Sequence, residues 1–468
     1  MDKYTEECQQ FRLELYQNFN KRADTAMELV DALCSDPSAN SPVELSLSPL
    51  FRRTHTALYK SIAETAWEEV PLAELLGAYL PAPKQRSFWT LGIDVTSQPR
   101  QFGHTVTDKG FVYQPNLVAG NKPVTIGHQY STLALLPEKE EQVSGSWVVP
   151  LRTARVPTDE DKEQVGARQV RRVLDNPKLP WHDEWVVQVG DSRYSKPAYL
   201  HATHQGHENL VSIVRVRSNR TCYHAYEYPD GERPANRPKR YGKAFKLPDP
   251  STHKKADQEA VLTRTSRRGK TYTYTIQAWN NMLMPGKNKP ERIPMWQYPF
   301  TLVKITACDA KGKPVFAKPI WLIVVGQRRD QFSLSQIFQA YHSRSNLEHF
   351  FRFGKQKLLL TASQTPITAR EESWWHLVHI AYAMLWMSRH LANHLPRPWE
   401  KYLPNARRRE MTPTLVRRDA QRLFSHLGTP AQPPQPRGKS PGRKPGTKLP
   451  PRTRHPVIFK GAKQPQAA

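Results

Sequence analysis

The sequence of 468 residues predicts an α/β fold in which a mostly β region lies between two helical regions. Two apolar runs of strand length each lead to an acid, and further strand-length runs follow between Leu210 and Gly326. Apolar residues recur at helical spacing on both sides of these strands. A basic, Pro-rich C-terminal tail is expected to be disordered. At about 150 residues per domain, the length suggests roughly three domains.

The N-terminal region has helical periodicity. Phe11, Leu15 and Phe19 recur at a spacing of four residues. The pattern resumes after a turn-rich stretch and ends at two closely spaced prolines. We therefore expect a small helical domain over residues 1–82.

Two strand-length apolar runs each lead to an aspartate. FWTLGIDVTS contains Asp94, and EWVVQVGDSRYS contains Asp191 in the equivalent position. We expect each of these acids to end a strand. Carboxylate oxygens suit Mg²⁺, a hard cation, better than His or Cys side chains do. The alternative is that each aspartate caps a turn, which is a common position for this residue.

A predicted helix after residue 330 carries four polar side chains that, at roughly 100° per residue, fall within a sector of about 60°. These residues are Tyr341, Arg344, Glu348 and Lys355. An adjoining apolar stripe of Leu347, Phe351 and Leu358 would seat the helix on a core. The polar face suits a metal-bound phosphate, because the acid would hold the ion while the other groups take phosphate oxygens. The alternative is an exposed face with ordinary Arg–Glu pairing.

The chain is strongly basic. It contains 69 Lys and Arg against 42 Asp and Glu, which gives a net charge of +27. Such an excess attracts polyanions, of which nucleic acid is the commonest in a cytoplasm. Residues 429–468 contain no Asp or Glu and would bind phosphates without reading sequence. The alternatives are a cationic surface that keeps the protein soluble, or a dispensable basic tail.

Other patterns exclude several classes of protein. The four cysteines form no C-x-x-C pair, which argues against a zinc ribbon or a disulfide scaffold and favours the cytoplasm. The longest apolar stretch, Trp374–Met387, is shorter than the roughly 20 residues of a membrane span and favours a buried helix. The sequence has neither an apolar signal-peptide region nor a P-loop, so we expect no membrane association and no ATP dependence.

The segment YHSRSNLEHFFRFGK, from Tyr341 to Lys355, is similar at every signature position to the Y-x2-R-x3-E-x6-K motif of DDE transposases from a large clan of bacterial insertion sequences. Asp94 and Asp191 resemble the first two catalytic acids of that family, and Glu348 resembles the third. The resemblance covers about residues 85–395. It implies that these three acids are catalytic and bind two Mg²⁺ or Mn²⁺ ions.

The resemblance also implies a domain organisation. The catalytic core would be ribonuclease-H-like and divided between residues 85–209 and 327–397. A β-rich insertion domain would occupy residues 210–326, in agreement with the run of predicted strands. The helical domain at residues 1–82 would bind the element ends, and residues 398–468 would form the basic tail.

The activity implied by the resemblance is that of a transposase. It would cleave double-stranded DNA at the terminal inverted repeats of an element and join the freed 3′-hydroxyl to target DNA. Holding both ends at once requires a homodimer or a larger assembly, on the nucleoid in a bacterial cytoplasm. Two alternatives are a transposase-derived DNA-binding protein that has lost catalysis and a structure-selective nuclease on the same fold. The three intact acids favour an active enzyme over the first alternative.

Five residues are candidate DNA contacts under this resemblance. Tyr341, Arg344 and Lys355 match the phosphate-binding positions of the signature. Arg193 lies two positions after the second acid, whereas the family pattern has Arg directly after it. Trp321 matches a position where some relatives stack Trp on a flipped base. A Trp in an apolar strand is, however, more often part of the core.

Overall fold

The structure, a computed structural model, has a mixed α/β fold. It describes residues 2–65, 69–114, 123–138, 146–228, 236, 238–266, 269–286, 293–402, 411–436, 438 and 442–459, without the side chains of residues 69–71 and 401. Parts of four of the five predicted segments lie outside the described residues. They include residues 66–68 of the predicted helical domain, 115–122 and 139–145 of the first part of the predicted core, 229–235 and 287–292 of the predicted insertion domain, and 403–410 and 460–468 of the predicted tail.

Eleven α-helices and twelve β-strands occur in the described part of the chain. The helices are α1 (Lys3–Gln17), α2 (Ala23–Ser35), α3 (His55–Glu64), α4 (Glu69–Ala78), α5 (Lys162–Leu174), α6 (Pro197–His204), α7 (Leu334–Ser343), α8 (Ser345–Lys357), α9 (Thr368–Met387), α10 (Arg389–His394) and α11 (Pro413–Leu427). The strands are β1 (Trp89–Pro99), β2 (Gly110–Tyr113), β3 (Val124–Leu135), β4 (Val149–Val156), β5 (Val186–Gly190), β6 (Leu210–Val216), β7 (Thr221–Ala225), β8 (Tyr241–Lys246), β9 (Gln258–Thr265), β10 (Thr271–Leu283), β11 (Phe300–Asp309) and β12 (Ile320–Val325).

The chain divides into two compact units. Unit 1 comprises Met1–Ala82, Val95–Lys162 and Asn346–Ala468, and unit 2 comprises Pro83–Asp94 and Glu163–Ser345. Unit 1 therefore combines helices from both ends of the chain. Strand β1 contributes to both units, because the boundary falls directly after Asp94. The five sequence segments remain a prediction of functional domains.

Unit 1 is built around helix α9, which contains the predicted buried segment. The sequence from Trp374 to Met387 is apolar on almost every side, so the helix is buried all round. Helices α2, α3 and α11 pack against it, and strands β2 and β4 both pair antiparallel with β3 in the same unit. In the residues that the structure describes, no helix is long and apolar enough to cross a membrane.

Unit 1 includes a helix from the C-terminal segment that the sequence predicts to be disordered. Helix α11 lies within the predicted tail, where Thr412 caps the helix by accepting a hydrogen bond from the Leu415 amide. Its apolar face is buried and consists of Val416, Ala420, Leu423 and Phe424. Further along, the amide of Ile458 donates to the carbonyl of Lys109, so a late part of the chain also contacts unit 1. These four positions have helical spacing, but the basic, Pro-rich composition of the C-terminal segment as a whole favoured disorder in the sequence.

Unit 2 contains a mixed sheet with a parallel centre. Strands β1, β5 and β6 run parallel and read as apolar runs, since both faces of a parallel sheet are covered. Strand β6 then pairs antiparallel with β12, and the sheet continues through β11, β10, β7 and β8, with β9 also on β10. The predicted β region thus extends the same sheet. This architecture confirms the mixed α/β class predicted from the sequence.

Candidate active site

Asp94 and Asp191 lie on neighbouring parallel strands of unit 2. The register pairs Trp89 with Val186 and Gly92 with Val189, and the same register carried two residues further aligns Asp94 with Asp191. Neighbouring strands lie about 4.8 Å apart, so the two carboxylates project from adjacent positions. Asp191 directly follows β5, as predicted. Asp94 lies inside β1, so the prediction that it ends a strand is wrong; only the fully buried part of β1 ends there.

Both carboxylates are partly open to solvent and face arginines. The Asp94 side chain is 20% exposed, and its Oδ2 accepts a hydrogen bond from Arg344 Nη1 at 3.2 Å. The Asp191 side chain is 30% exposed, and its Oδ2 lies 3.8 Å from Arg193 Nε. The Arg193 amide also donates to Asp191 Oδ1 at 2.8 Å, which fixes the turn after β5. The two acids are therefore held in place by cations that are themselves suited to phosphate.

The signature segment is not one helix, as predicted, but two consecutive helices. Helix α7 ends at Ser343, α8 begins at Ser345, and Arg344 lies between them. Arg344 keeps helical dihedral angles, but its amide donates to the carbonyl of Tyr341 at 3.1 Å, the tighter spacing of a 3-10 turn. The polar face expected on a single helix is consequently divided between α7 and α8.

Tyr341 belongs to unit 2, where α7 packs against β5, β6 and β9. Burial raises the pKa of the Tyr341 phenol, and the guanidinium groups of Arg344 and Arg215 act in the opposite direction. The Arg344 guanidinium lies 6.0 Å from the centre of the Tyr341 ring. Tyr341, Arg344 and the Asp94–Asp191 pair are thus parts of one unit, and the phenol is a proton donor at neutral pH.

Glu348 and Lys355 belong to unit 1, on helix α8. Both residues are exposed, and Lys355 Nζ donates a hydrogen bond to Thr96 Oγ1 at 2.7 Å. Thr96 lies on β1, two residues after Asp94. Desolvation of the ammonium by surrounding protein atoms lowers the pKa of Lys355 from its ordinary value, although the residue as a whole is exposed.

The apolar stripe predicted for this helix is confirmed. Its three residues, Leu347, Phe351 and Leu358, are buried. Phe350 adds to the same buried side, with its ring 4.7 Å from the ring of Tyr382 in α9. The stripe therefore seats α8 on the helical core of unit 1 and leaves the opposite side of the helix to solvent.

Trp321 lies in the core of unit 2. It is 2% exposed and belongs to a cluster of aromatic rings with Phe245, His253 and Trp279, at centroid distances of 5.6 to 6.1 Å. This burial agrees with the core interpretation of an apolar strand. In the present conformation the ring has no face open to a DNA base, so its role as a stacking residue remains a prediction that the burial does not support.

Two further buried residues of unit 2, Tyr194 and Glu163, were missed in the sequence. Tyr194, in the segment DSRY, is 1% exposed, and burial together with Asp94 and Asp191 raises the pKa of its phenol well above the ordinary value. Glu163 is also buried, and its carboxylate pairs with Lys196 at 3.0 Å. The spacing of Tyr194 three residues after an acid was the available signal, but burial depends on contacts that the sequence does not reveal.

The donor set of the site suits a hard divalent cation. Asp94 and Asp191 offer oxygen ligands that are partly open to solvent, which fits Mg²⁺ or Mn²⁺ and its retained water. Within the described residues, no group of three or more His, Cys, Asp or Glu side chains is gathered closely enough to hold a metal ion. Of the three predicted metal ligands, unit 2 contributes Asp94 and Asp191.

Comparisons with known proteins identify the family. The cryo-EM structure of a piggyBac transposase synaptic complex with hairpin DNA is similar to this chain, with a TM-score of 0.43, 11% sequence identity, and coverage of 90% of this chain and 80% of that chain. No curated protein matches the chain. Residues 14–285 match the family described as DDE superfamily endonuclease. With more than half of its 468 residues matched, the chain belongs to the DDE superfamily endonuclease family.

Proposed function

We propose that this protein is a transposase that cleaves DNA at the ends of an insertion sequence and joins the freed 3′-hydroxyl to target DNA. One observation carries the proposal: Asp94 and Asp191 are aligned on neighbouring parallel strands, with Arg344 of the signature segment bonded to Asp94. A pair of solvent-accessible carboxylates beside an arginine suits a metal-assisted reaction on a phosphodiester. Family membership supports the same chemistry.

Nucleases of the DDE superfamily generally use divalent metal ions, and we assign two Mg²⁺ or Mn²⁺ ions to Asp94, Asp191 and Glu348. When bound, such ions activate the attacking water or hydroxyl and stabilise the leaving oxygen. The inclusion of Glu348 rests on its position in the Y-x2-R-x3-E-x6-K signature, where it matches the third catalytic acid.

The remaining residues of the signature would position the DNA. We assign phosphate contacts to Tyr341, Arg344, Lys355 and Arg193, which combine guanidinium, ammonium and phenol donors. In cleavage, the water oxygen bonds to phosphorus and the 3′-oxygen leaves as a hydroxyl. In joining, that hydroxyl attacks a target phosphodiester and releases a new 3′-hydroxyl. The second step exchanges one phosphodiester for another, which fits the expected independence from ATP.

The charge of the chain supports a DNA partner. A net charge of +27 attracts double-stranded DNA, both the terminal repeats and the target, through release of counterions. We propose that the protein acts on the nucleoid in a bacterial cytoplasm. We also propose a homodimer or larger assembly, because the reaction must hold two element ends at once.

A cleavage and joining assay tests this proposal. DNA fragments with the element's own ends are incubated with Mg²⁺ or with EDTA, and the wild type is compared with Glu348→Gln. The matched control is His349→Gln, the neighbouring exposed residue on the same helix. Metal-dependent cleavage followed by joining, lost only in Glu348→Gln, is the expected result. Cutting without joining would instead indicate a structure-selective nuclease, and binding without cutting would indicate a DNA-binding protein that has lost catalysis.

A further inference from the structure

The last described residues of the chain attach to unit 1 through their backbone. These residues, 455–459, have the sequence HPVIF, and we name them the anchor segment. The His455 amide donates a hydrogen bond to the His104 carbonyl at 3.0 Å, and the Ile458 amide donates one to the Lys109 carbonyl at 2.8 Å. Backbone hydrogen bonds of this kind are a common way for a protein to bind a short peptide segment.

The surface that receives the anchor segment is held by its own hydrogen bonds. Lys109 is 2% exposed, and its Nζ donates to the carbonyls of Gly103 and His104, both at 2.8 Å. Strand β2 follows directly and is an end strand of the sheet, and the centre of its Phe111 ring lies 5.2 Å from that of the Phe459 ring. A preformed surface of this kind requires little ordering when the anchor segment binds.

A second attachment fixes the chain to unit 1 shortly after helix α11. Nη2 of Arg52 donates to the Ala431 carbonyl at 2.8 Å, and Nη2 of Arg53 donates to the Gln432 carbonyl at 2.6 Å. Ala431 itself is buried. The chain is therefore attached to unit 1 both before and after residues 433–454, and we name these residues the basic strap.

The basic strap carries only positive charge. It contains seven Lys and Arg and no Asp or Glu. Every residue from 442 to 454 is exposed, and the five Lys and Arg of this stretch form no ion pair with another described residue. The seven prolines of the strap favour an extended backbone. Cations spread along an extended, exposed chain suit the regularly spaced phosphates of a nucleic acid.

We propose that the basic strap is a binding site for the phosphate backbone of double-stranded DNA, and that the docked anchor segment holds it in position. This inference rests on the proposed function, which makes DNA the substrate. A free cationic tail loses conformational freedom when it binds along DNA. Attachment at both ends removes part of that freedom beforehand, so the strap binds phosphates more tightly than a free tail of the same charge.

Two shortened chains of equal charge test the inference. One ends after residue 454 and lacks the anchor segment, and the other ends after residue 459 and keeps it. Both keep the seven cations of the strap and lose Lys460 and Lys463, so with neutral His they differ only by the uncharged sequence HPVIF. In the full-length chain, Ile458→Pro removes the amide that donates to Lys109 and provides an independent variant.

Titration with duplex DNA of arbitrary sequence at several salt concentrations measures the effect. We expect the chain that ends after residue 454 to bind roughly 3- to 10-fold more weakly than the chain that ends after residue 459, because a free strap must be ordered on binding. Ile458→Pro should weaken binding relative to the full-length wild type. The salt dependence of the two shortened chains should be equal, since both offer the same cations to phosphate.

Hydrogen exchange tests the docking without DNA. The Ile458 amide of the full-length chain should exchange at least about 10-fold more slowly than the same amide in a free peptide of residues 452–460, because it is hydrogen-bonded to unit 1. Equal exchange rates would overturn the docking of the anchor segment. Equal DNA affinities of the two shortened chains would overturn its role in positioning the strap.

The inference and the proposed function can fail separately. If both shortened chains cleave DNA and bind it equally well, the enzyme stands and the role of the strap is wrong. If the two chains differ in affinity as expected but the full-length protein never cleaves DNA, the strap stands as a DNA-binding site and the proposed catalysis is wrong.

Discussion

Two carboxylate sites in this molecule each face an arginine, yet they are built differently. In unit 1, Glu371 is 1% exposed and is surrounded by protein donors. Its carboxylate accepts hydrogen bonds from Arg100, from Tyr130 Oη at 2.9 Å and from His128 Nδ1 at 2.6 Å. Every one of these partners is itself buried. The site is closed and its donors come from the protein alone.

In unit 2, the Asp94 and Asp191 side chains are 20% and 30% exposed, and the side chains of their partners Arg344 and Arg193 are 17% and 49% exposed. A buried charge must be matched by protein groups, whereas a partly exposed one can exchange partners with solvent, ions and substrate. The comparison predicts that Glu371 stabilises the fold, and it fits our proposal that the two aspartates are catalytic. Four predictions test this difference.

The largest effect is expected for the three proposed catalytic acids. Asp94→Asn, Asp191→Asn and Glu348→Gln should each lower DNA cleavage by at least about 1,000-fold, the scale at which loss of one essential catalytic group acts. DNA binding should persist, because it depends mainly on the basic groups. Cleavage rates and filter binding on the same DNA measure the two quantities. Normal cleavage in any one variant would remove that residue from the site.

Substitution of the buried Glu371 in unit 1 should instead lower the stability of the protein. Glu371→Gln should lower the free energy of unfolding by about 3–5 kcal/mol, because the Arg100 guanidinium would stay buried without its counter-charge. Glu372→Gln is the matched control. That neighbouring side chain is 39% exposed and pairs with Arg155 at 2.7 Å, so its loss should cost about 0–1 kcal/mol. Urea unfolding of both variants measures the difference, and equal stabilities would contradict the comparison.

Acid should weaken unit 1 through a buried histidine. Burial lowers the pKa of His379 to about 4, while its Nδ1 bonds to the Trp375 carbonyl at 2.7 Å and its Nε2 bonds to Thr132 Oγ1 at 3.2 Å. The unfolded chain, with a His pKa of about 6.5, binds the proton first as pH falls. Stability is therefore lost between about pH 6.5 and pH 4, by at most about 1.4 kcal/mol per pH unit for this group.

Urea unfolding between pH 7 and pH 4.5 measures this loss. The variant His379→Gln should show a smaller change in stability over the same range, because it removes the titrating group. His376, which is half-buried and has a pKa that desolvation lowers to about 3, should supply part of the change that remains. An identical pH dependence in the variant and the wild type would rule out His379 as a source.

The smallest effect is expected for the basic C-terminal segment. Residues 437–468 contain nine Lys and Arg and no Asp or Glu. Truncation after residue 436 keeps the contacts of Arg52 and Arg53 with the Ala431 and Gln432 carbonyls. It should weaken non-specific DNA binding and reduce its dependence on salt concentration. Titrations at several salt concentrations measure the slope, and an unchanged slope would show that this segment does not contact DNA.

Much of the fold was predictable because its signals are local. The apolar runs around Asp94 and Asp191 form β1 and β5, and the segment from Trp374 to Met387 forms the buried helix α9. Strand-length runs and helical periods arise from nearest neighbours along the chain. The break at Arg344 was missed, since a single residue with 3-10 bonding leaves the apolar period almost unchanged.

The details that depend on distant parts of the chain were not predictable. Glu371 meets His128 and Arg100 across more than 200 residues of sequence. The pairing of β6 with β12 likewise closes a long loop that no local pattern specifies. Tyr194 is buried because Gly190 and Gly166 leave room for its ring, which only the folded structure reveals. In each case the sequence does not show which distant residues a side chain or strand contacts.

Local oxidative cutting of the protein chain by Fe²⁺ bound in place of Mg²⁺ tests most directly whether Asp94, Asp191 and Glu348 share one metal site. With ascorbate and peroxide, a bound Fe²⁺ ion cuts the backbone near its ligands, and mass spectrometry locates the cuts. We predict cuts close to all three acids, each suppressed by excess Mg²⁺ and absent in Asp94→Asn. Cuts confined to other parts of the chain, or cuts that persist in Asp94→Asn, would contradict the proposed active site.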